Sequence, residues 1–364
     1  KEESLSEFLV SQTAFRFEKR PYLQSKEVKM QNRRLGKDLL VSAIGLGCMG
    51  MSHAYGRPST LQEARNIIAQ ALDCGYTFFD TAESYGNELD PHHNENLLGE
   101  LLRPYRDKVV IATKFGIHFD KTSTAVNKPL VVDSRPETIR KSVEGSLRRL
   151  KTDHIDLYYQ HRYDPQRPIE ETAGVMQQLI DEGKITHWGM SEVGAEIVER
   201  AHAVCPVTAI QNRYSMMARH YEALFPTLER LGVGFVSFSP LANGFLSGQY
   251  RGTEAFDKVS DYRSVMPQFT REAYEQNQTL LKLLEDLASE KGASKAQISL
   301  AWMLAKKDWI VPIPGSQNLA RLKENAQAAD VTLTASEAAA IDAALNAIPM
   351  SAVYGGVGTK EKED

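Results

Sequence analysis

The stretch IDLYYQHRYDPQRPIEETAGVMQQLIDEGKITHWGMS, residues 155–191, holds the pattern that decides the fold. It opens on a short apolar and aromatic run ending at His161, passes through helical spacing over 169–182, and closes on a second apolar run ending at Ser191. Short runs with little polar alternation predict strands buried on both faces, and Gly183 stands where a C′ glycine stops a helix. Strand, helix and strand make one unit of a parallel sheet. The unit recurs along the chain, with strands predicted over 43–49, 76–80, 109–114, 155–161, 185–191, 207–212, 235–239 and 309–313. Helices are expected over 61–74, 95–103, 136–150, 169–182, 195–203, 221–231, 295–304 and 319–328. Eight such units predict an α/β protein of the (β/α)8 TIM-barrel type. Ser134 before Pro136 and Glu137 reads as a helix N-cap, and Gly232 and Gly292 read as helix stops. A hairpin over 34–41, turning at Gly36-Lys37-Asp38, is placed to plug the barrel bottom, and two additional helices are expected over 274–291 and 335–346.

Composition narrows the possible functions. The 364 residues carry 43 Lys plus Arg against 47 Asp plus Glu, a net charge of −4, so no basic excess is available for a nucleic-acid backbone. The uncharged stretches 39–56 and 231–250 contain several glycines and read as strands followed by loops, not as membrane spans. Cys48, Cys74 and Cys205 form no CxxC pair, which points to a reducing, cytoplasmic setting without a disulfide framework or a zinc site. His92, His93 and Glu95 lack metal-ligand spacing, so no metal is expected. Residues 1–29 mix six basic and five acidic side chains and read as a peripheral extension; 30–350 form the barrel, and 351–364 a flexible tail.

The predicted strands end in polar residues: Asp80, Lys114, His161, Ser191, Gln211-Asn212 and Ser239. Helix capping accounts for one such end taken singly, but a barrel brings all of them to its C-terminal mouth, where active sites are built. Tyr85 follows Asp80 in Asp-Thr-Ala-Glu-Ser-Tyr-Gly. A nearby ammonium stabilises phenolate, so Lys114 tunes Tyr85 as a proton donor, Asp80 holds Lys114, and His161 offers a hydrogen bond to a carbonyl oxygen. This group contains no hydride source and no nucleophile, so a cofactor must complete it.

Asp80 with Tyr85, Lys114 in Ala-Thr-Lys-Phe-Gly, and His161 in Tyr-Tyr-Gln-His-Arg resemble the catalytic tetrad of the aldo-keto reductases over residues 30–346. Gln-His-Arg-Tyr-Asp and Gly-Met-Ser-Glu look closest to the bacterial and plant branch related to potassium-channel β subunits. The resemblance implies reversible, NADP(H)-dependent reduction of an aldehyde or ketone, with the proton coming from Tyr85. Ser191 and Gln211 correspond to ligands of the nicotinamide carboxamide. Phe238, Ser239, Pro240, Leu241 and Asn243 correspond to the strand and loop beside the ring. Gly315, Ser316, Arg321, Glu324 and Asn325 correspond to the adenosine end, with Arg321 on the 2′-phosphate. The chain departs from the family pattern at Glu192, where many relatives have Asn, at Phe238 for Tyr, and at Gly315 for Lys. The implied partner is a small-molecule carbonyl compound, with neither nucleic acid nor membrane, and self-association is left open.

Other readings compete. Gly45-Leu-Gly-Cys-Met-Gly50 satisfies the GxGxxG pattern of a Rossmann fold, but His53, Tyr55, Gly56 and Pro58 intervene before any helix. A redox-responsive NADP(H)-binding regulatory module, like the channel β subunits, is the functional alternative. The long segments 115–135 and 241–268 are expected to act as lids, with Asn243, Gly244, Leu246, Gln249 and Arg263 folded across a cofactor pyrophosphate.

Overall fold

The computed structural model describes residues 30–120, 122 and 129–353. The extension 1–29 and the tail from 354 lie outside the described residues. Eight parallel strands make one sheet in sequence order: β1 Leu46–Gly47, β2 Phe78–Asp80, β3 Val110–Phe115, β4 Ile155–Gln160, β5 Ile185–Ser191, β6 Ala209–Arg213, β7 Gly234–Phe238 and β8 Ile310–Pro312. The sheet curls until its ends meet, where Gly45 N–H donates to Pro312 O at 3.0 Å. Backbone approaches backbone closely at this seam. A Cβ on Gly47 would lie 2.7 Å from Ile313 O, and one on Gly315 would lie 2.6 Å from Gly47 O. Two glycines of the apparent dinucleotide motif therefore serve barrel closure: Gly45 also has no room, since its Cβ would meet Phe78 at 2.6 Å.

The helices Leu61–Asp73, His93–Leu102, Pro136–Leu150, Ile169–Asp181, Ala195–Val204, Phe225–Leu231, Lys295–Lys306 and Leu319–Gln327 surround the sheet. Gly183, Gly232 and Gly292 take the left-handed conformation expected of helix stops, with φ of 71°, 66° and 62°. Two apolar layers result. Ile111, Tyr158, Trp188, Ile210 and Phe235 pack outward under the helices, while Phe78, Ala112, Leu157, Ala209, Val236 and Val311 fill the barrel. The hairpin Asn32–Leu35 and Leu39–Ser42 inserts Leu35, Leu39 and Val41 into that interior layer from below. With an apolar plug at the bottom, the polar strand ends face the other end. Among the described residues no helix is long and apolar enough to cross a membrane.

Several local expectations give way. The first strand, expected over 43–49, is regular only at Leu46–Gly47 and passes into a 3₁₀ turn at Met49–Met51. Ser134 is not the N-cap of Pro136–Leu150: its N–H and Oγ are both 3.1 Å from Asp164 Oδ2, and Arg135 takes the cap position. The helix expected over 274–291 is two helices, Arg271–Gln276 and Gln278–Lys291. Asn277 breaks it, because its buried side chain donates to Ala273 O and Ser351 Oγ at 2.8 and 2.7 Å. The 115–135 segment, expected as a loop, carries an antiparallel pair at Ile117–Phe119 and Leu130–Val132.

Candidate active site

Three strand ends and one loop bring the proton-handling residues together. Asp80 ends β2, Lys114 is the second-last residue of β3, His161 directly follows β4, and Tyr85 sits on the turn after β2. Lys114 is 1% exposed, so its ammonium must find all its partners in protein. It donates to Asp80 Oδ1 at 2.5 Å, to Thr81 O at 2.7 Å and to Tyr85 Oη at 3.3 Å. An ammonium has three N–H bonds, and all three are used. Asp80 is pinned on its other side, where Oδ2 accepts from Gln211 Nε2 at 2.7 Å. Because Tyr85 Oη accepts from Lys114, its own proton is left to be given elsewhere.

Burial works against the charge on Lys114, but Asp80 and Tyr85 outweigh it and hold the ammonium above its usual range. Burial likewise pushes the Tyr85 phenol up, with Lys114 opposing, so the resting group is protonated. That is the state a general acid needs before it acts. His161 is held neutral: burial, then the positive charges of Arg162 and Lys114, push it well below its ordinary value. Its ring meets the Tyr85 ring edge-on at 5.6 Å, and its Nδ1 is buried with no hydrogen-bond partner among the described residues.

Three further residues belong to this mouth and were not singled out from the sequence. His53 stacks on Tyr85 at 6.2 Å between centroids. Its Nδ1 lies 2.6 Å from Gly86 O, which can only accept, so Nδ1 carries the hydrogen and Nε2 faces Tyr262 Oη at 3.3 Å as acceptor. Tyr262 comes from the long segment after β7. Arg162 Nη1 donates to His161 O at 2.7 Å and to Ser191 Oγ at 3.2 Å, which places a cation beside the strand ends. Arg162 was visible in the Gln-His-Arg phrase; His53 and Tyr262 carried no local signal.

The residues matched to cofactor binding fall into two groups. Ser191 and Gln211 are buried at the mouth, Gln211 in contact with the Asp80 carboxylate. Phe238 ends β7 half-buried, Pro240 is buried, and Leu241 is half-buried. Ser239 and Asn243 adopt left-handed φ of 49° and 59°, strained for residues with side chains. Asn243 Nδ2 donates to Tyr55 Oη at 2.7 Å and to Ser239 Oγ at 3.3 Å. The second group lies past β8. Gly315 is exposed at the seam, and Ser316 and Asn318 precede the helix Leu319–Gln327, whose first turn Asn318 caps. Arg321 is exposed on that helix, Glu324 half-buried with its backbone O accepting from Gln297 Nε2, and Asn325 buried. Glu192 is turned away to Arg213, accepting from its N–H at 3.0 Å and pairing with its guanidinium at 3.5 Å.

The segment 241–268 lies against the loop after β1, where Tyr262 N–H donates to Ala54 O and Gly56 N–H to Ser260 O. Arg263 is occupied within this segment. It pairs with Asp261 at 2.5 Å, donates to Tyr250 Oη at 2.6 Å and lies over the Phe256 ring at 4.5 Å.

Comparison with known proteins agrees with this geometry. Residues 43–346 match the sequence model of the Aldo/keto reductase family. A probable aldo-keto reductase 1 from Glycine max is 36% identical over 333 residues, covering 91% of this chain and 92% of that protein. The glycerol dehydrogenase AKR11B4 from Gluconobacter oxydans superposes with a TM-score of 0.78 at 28% identity, covering 90% of this chain and 99% of that one. The holo form of aldo-keto reductase AKR11C1 from Bacillus halodurans gives 0.70 at 28% identity, covering 89% and 98%. The chain belongs to the aldo/keto reductase family. Members of this family are oxidoreductases that act on carbonyl compounds with a nicotinamide cofactor.

Proposed function

We propose that this protein reduces aldehydes or ketones to alcohols with NADPH, reversibly, and that Tyr85 is the proton donor. The observation that supports this most strongly is the Lys114 ammonium, buried between Asp80 at 2.5 Å and the Tyr85 hydroxyl at 3.3 Å.

The residues present suit the cofactor. At the adenosine end, the N–H groups of Leu319 and Ala320 at the start of the helix Leu319–Gln327, the Ser316 hydroxyl and the exposed Arg321 guanidinium make a donor set for a phosphate. At the mouth, Ser191 and Gln211 offer a hydroxyl and an amide. When bound, the reduced nicotinamide supplies the hydride. Neutral His161 orients the carbonyl oxygen through an N–H, with the Tyr85 ring beside it at 5.6 Å between centroids. As negative charge develops on that oxygen, the Tyr85 O–H bond breaks and its proton passes across. The resulting phenolate sits against the ammonium of Lys114, the charge that makes the transfer favourable. Asp80, held by Gln211, keeps Lys114 in place throughout.

A steady-state screen of NADPH oxidation against aldehydes, ketones and quinones tests the reading. Turnover of at least one carbonyl class is expected. Tight NADPH binding with no turnover of any class would favour a cofactor-binding regulatory module instead.

A further inference from the structure

Behind the loop that carries Tyr85 lies a second buried ionic cluster, which the chemistry above does not use. Glu95, on His93–Leu102, is fully buried and accepts from Arg149 Nε and from Thr113 Oγ1, each at 2.6 Å. Glu83 lies beside it. Its Oε1 accepts from Gly116 N–H at 3.1 Å and from Ser142 Oγ at 3.2 Å, and its Oε2 is 3.9 Å from Arg149 Nη2. Two carboxylates thus share one guanidinium. The crossing of the two helices is what brings them together: a Cβ on Gly99 would lie 2.0 Å from Arg149 O, so only glycine allows His93–Leu102 to pass this close to Pro136–Leu150.

Glu83 is also a splice between the Tyr85 loop and the strand of Lys114. Its backbone N–H donates to Lys114 O at 3.2 Å, while its side chain holds Gly116 N–H, just past the end of that strand. Two residues on from Glu83 in the other direction stands Tyr85. We propose that Glu83 is a positioning residue, whose ionised carboxylate holds the Tyr85 loop against β3 so that the Tyr85 hydroxyl meets Lys114, and whose protonation slackens this hold and lowers turnover. The proposal rests on the reading of Tyr85 as proton donor.

The charges facing Glu83 come from several elements. Glu95 comes from one helix and Arg149 from another. Tyr158 comes from β4, the His92 ring lies at the Glu83 backbone O, and Lys114 meets it only through its own backbone O. Burial, then the charge of Glu95, raise the Glu83 carboxyl from its ordinary 4.5 to about 7, against the bonds from Ser142 and Gly116 and the charge of Arg149. Between those values the native state binds the proton more readily than the unfolded chain, so this group's contribution to stability falls as pH rises through the window. Ionised Glu83 therefore costs stability at neutral pH and above.

Glu83→Gln separates the two roles, because the amide oxygen still accepts from Gly116 and Ser142 while the charge is gone. In wild type, kcat is expected to fall as pH drops through about 7. In Glu83→Gln that limb should vanish, and kcat at pH 8 should be roughly tenfold lower, short of the ~10²-fold that a 1 Å misplacement can cost. Its melting temperature should exceed the wild-type value at pH 8, and the excess should shrink as pH falls from about 7 towards 4.5, with NADPH binding by fluorescence titration unchanged. An acid limb that persists in Glu83→Gln overturns the proposal, as does a lower melting temperature at pH 8. Tyr85→Phe in parallel keeps the two readings apart. Full turnover in Tyr85→Phe removes the proton-donor assignment itself, whereas an inactive Tyr85→Phe beside an unchanged Glu83→Gln pH profile removes only this inference.

Discussion

The two buried ionic clusters lie on opposite faces of one short loop, residues 81–86, and their charges balance differently. At the mouth, Lys114 is matched by Asp80, and each ammonium hydrogen has an acceptor. Behind the loop, Glu83 and Glu95 compete for Arg149. Burial raises the Asp80 carboxyl at the mouth as well, with Lys114 and Gln211 opposing, but every charged group there has its partner and the geometry is fixed. The surplus carboxylate behind the loop leaves one group that titrates near physiological pH. The loop between them carries Tyr85, so one cluster sets the place of its hydroxyl and the other makes the loop's hold depend on the charge of Glu83.

Removing a charge from each cluster should act in opposite directions on stability. Lys114→Met leaves Asp80 buried with only Gln211 as partner, and breaking a buried pair in this way costs about 3–5 kcal/mol. Urea unfolding at pH 7 should show that loss, and an unchanged midpoint would mean that Asp80 takes up a proton at little cost. Glu83→Gln should instead gain stability at pH 8. Away from both clusters, Arg321→Ala should weaken NADPH about ten- to a hundredfold, or ~1.5–3 kcal/mol, and leave NADH affinity unchanged. Equal weakening of the two cofactors would dissociate Arg321 from the 2′-phosphate. The smallest effect is expected at the mouth's outer rim. Arg263→Ala opens a largely buried pair but leaves Asp261 its bond from the backbone N–H of residue 263, and should cost about 1.5 kcal/mol by thermal unfolding. A larger loss would show that the 241–268 segment depends on that latch.

The barrel was legible because its strands are buried on both faces and read as short apolar runs, each followed by helical spacing. The polar ends of those runs were legible for the same reason: Asp80, Lys114 and His161 interrupt sequences that are otherwise apolar, and the structure brings them together with Tyr85. What depends on contacts between distant segments was not legible. The glycines at 45, 47 and 315 look like a phosphate-binding loop and a departure from family pattern until the seam shows backbone against backbone. Nothing local to Glu83 or Glu95 reveals that Gly99 brings Arg149 beside them. His53 and Tyr262 come from loops some two hundred positions apart. Arg263 pairs with Asp261 and Tyr250 in its own segment and lies over the Tyr55 ring of the loop after β1, partners that spacing alone did not reveal.

The central claim is that Tyr85 delivers the proton. Tyr85→Phe keeps the ring that stacks on His53 and meets His161, and it removes only the hydroxyl. Single-turnover and steady-state kcat should be measured for one carbonyl substrate, with NADPH fluorescence titration of the same variant. Loss of the acid should lower kcat by about 10²–10⁴-fold, or ~3–5 kcal/mol of barrier, with NADPH affinity little changed. An undiminished kcat would contradict the account, and a loss of NADPH binding equal to the loss of turnover would give the hydroxyl a structural role instead.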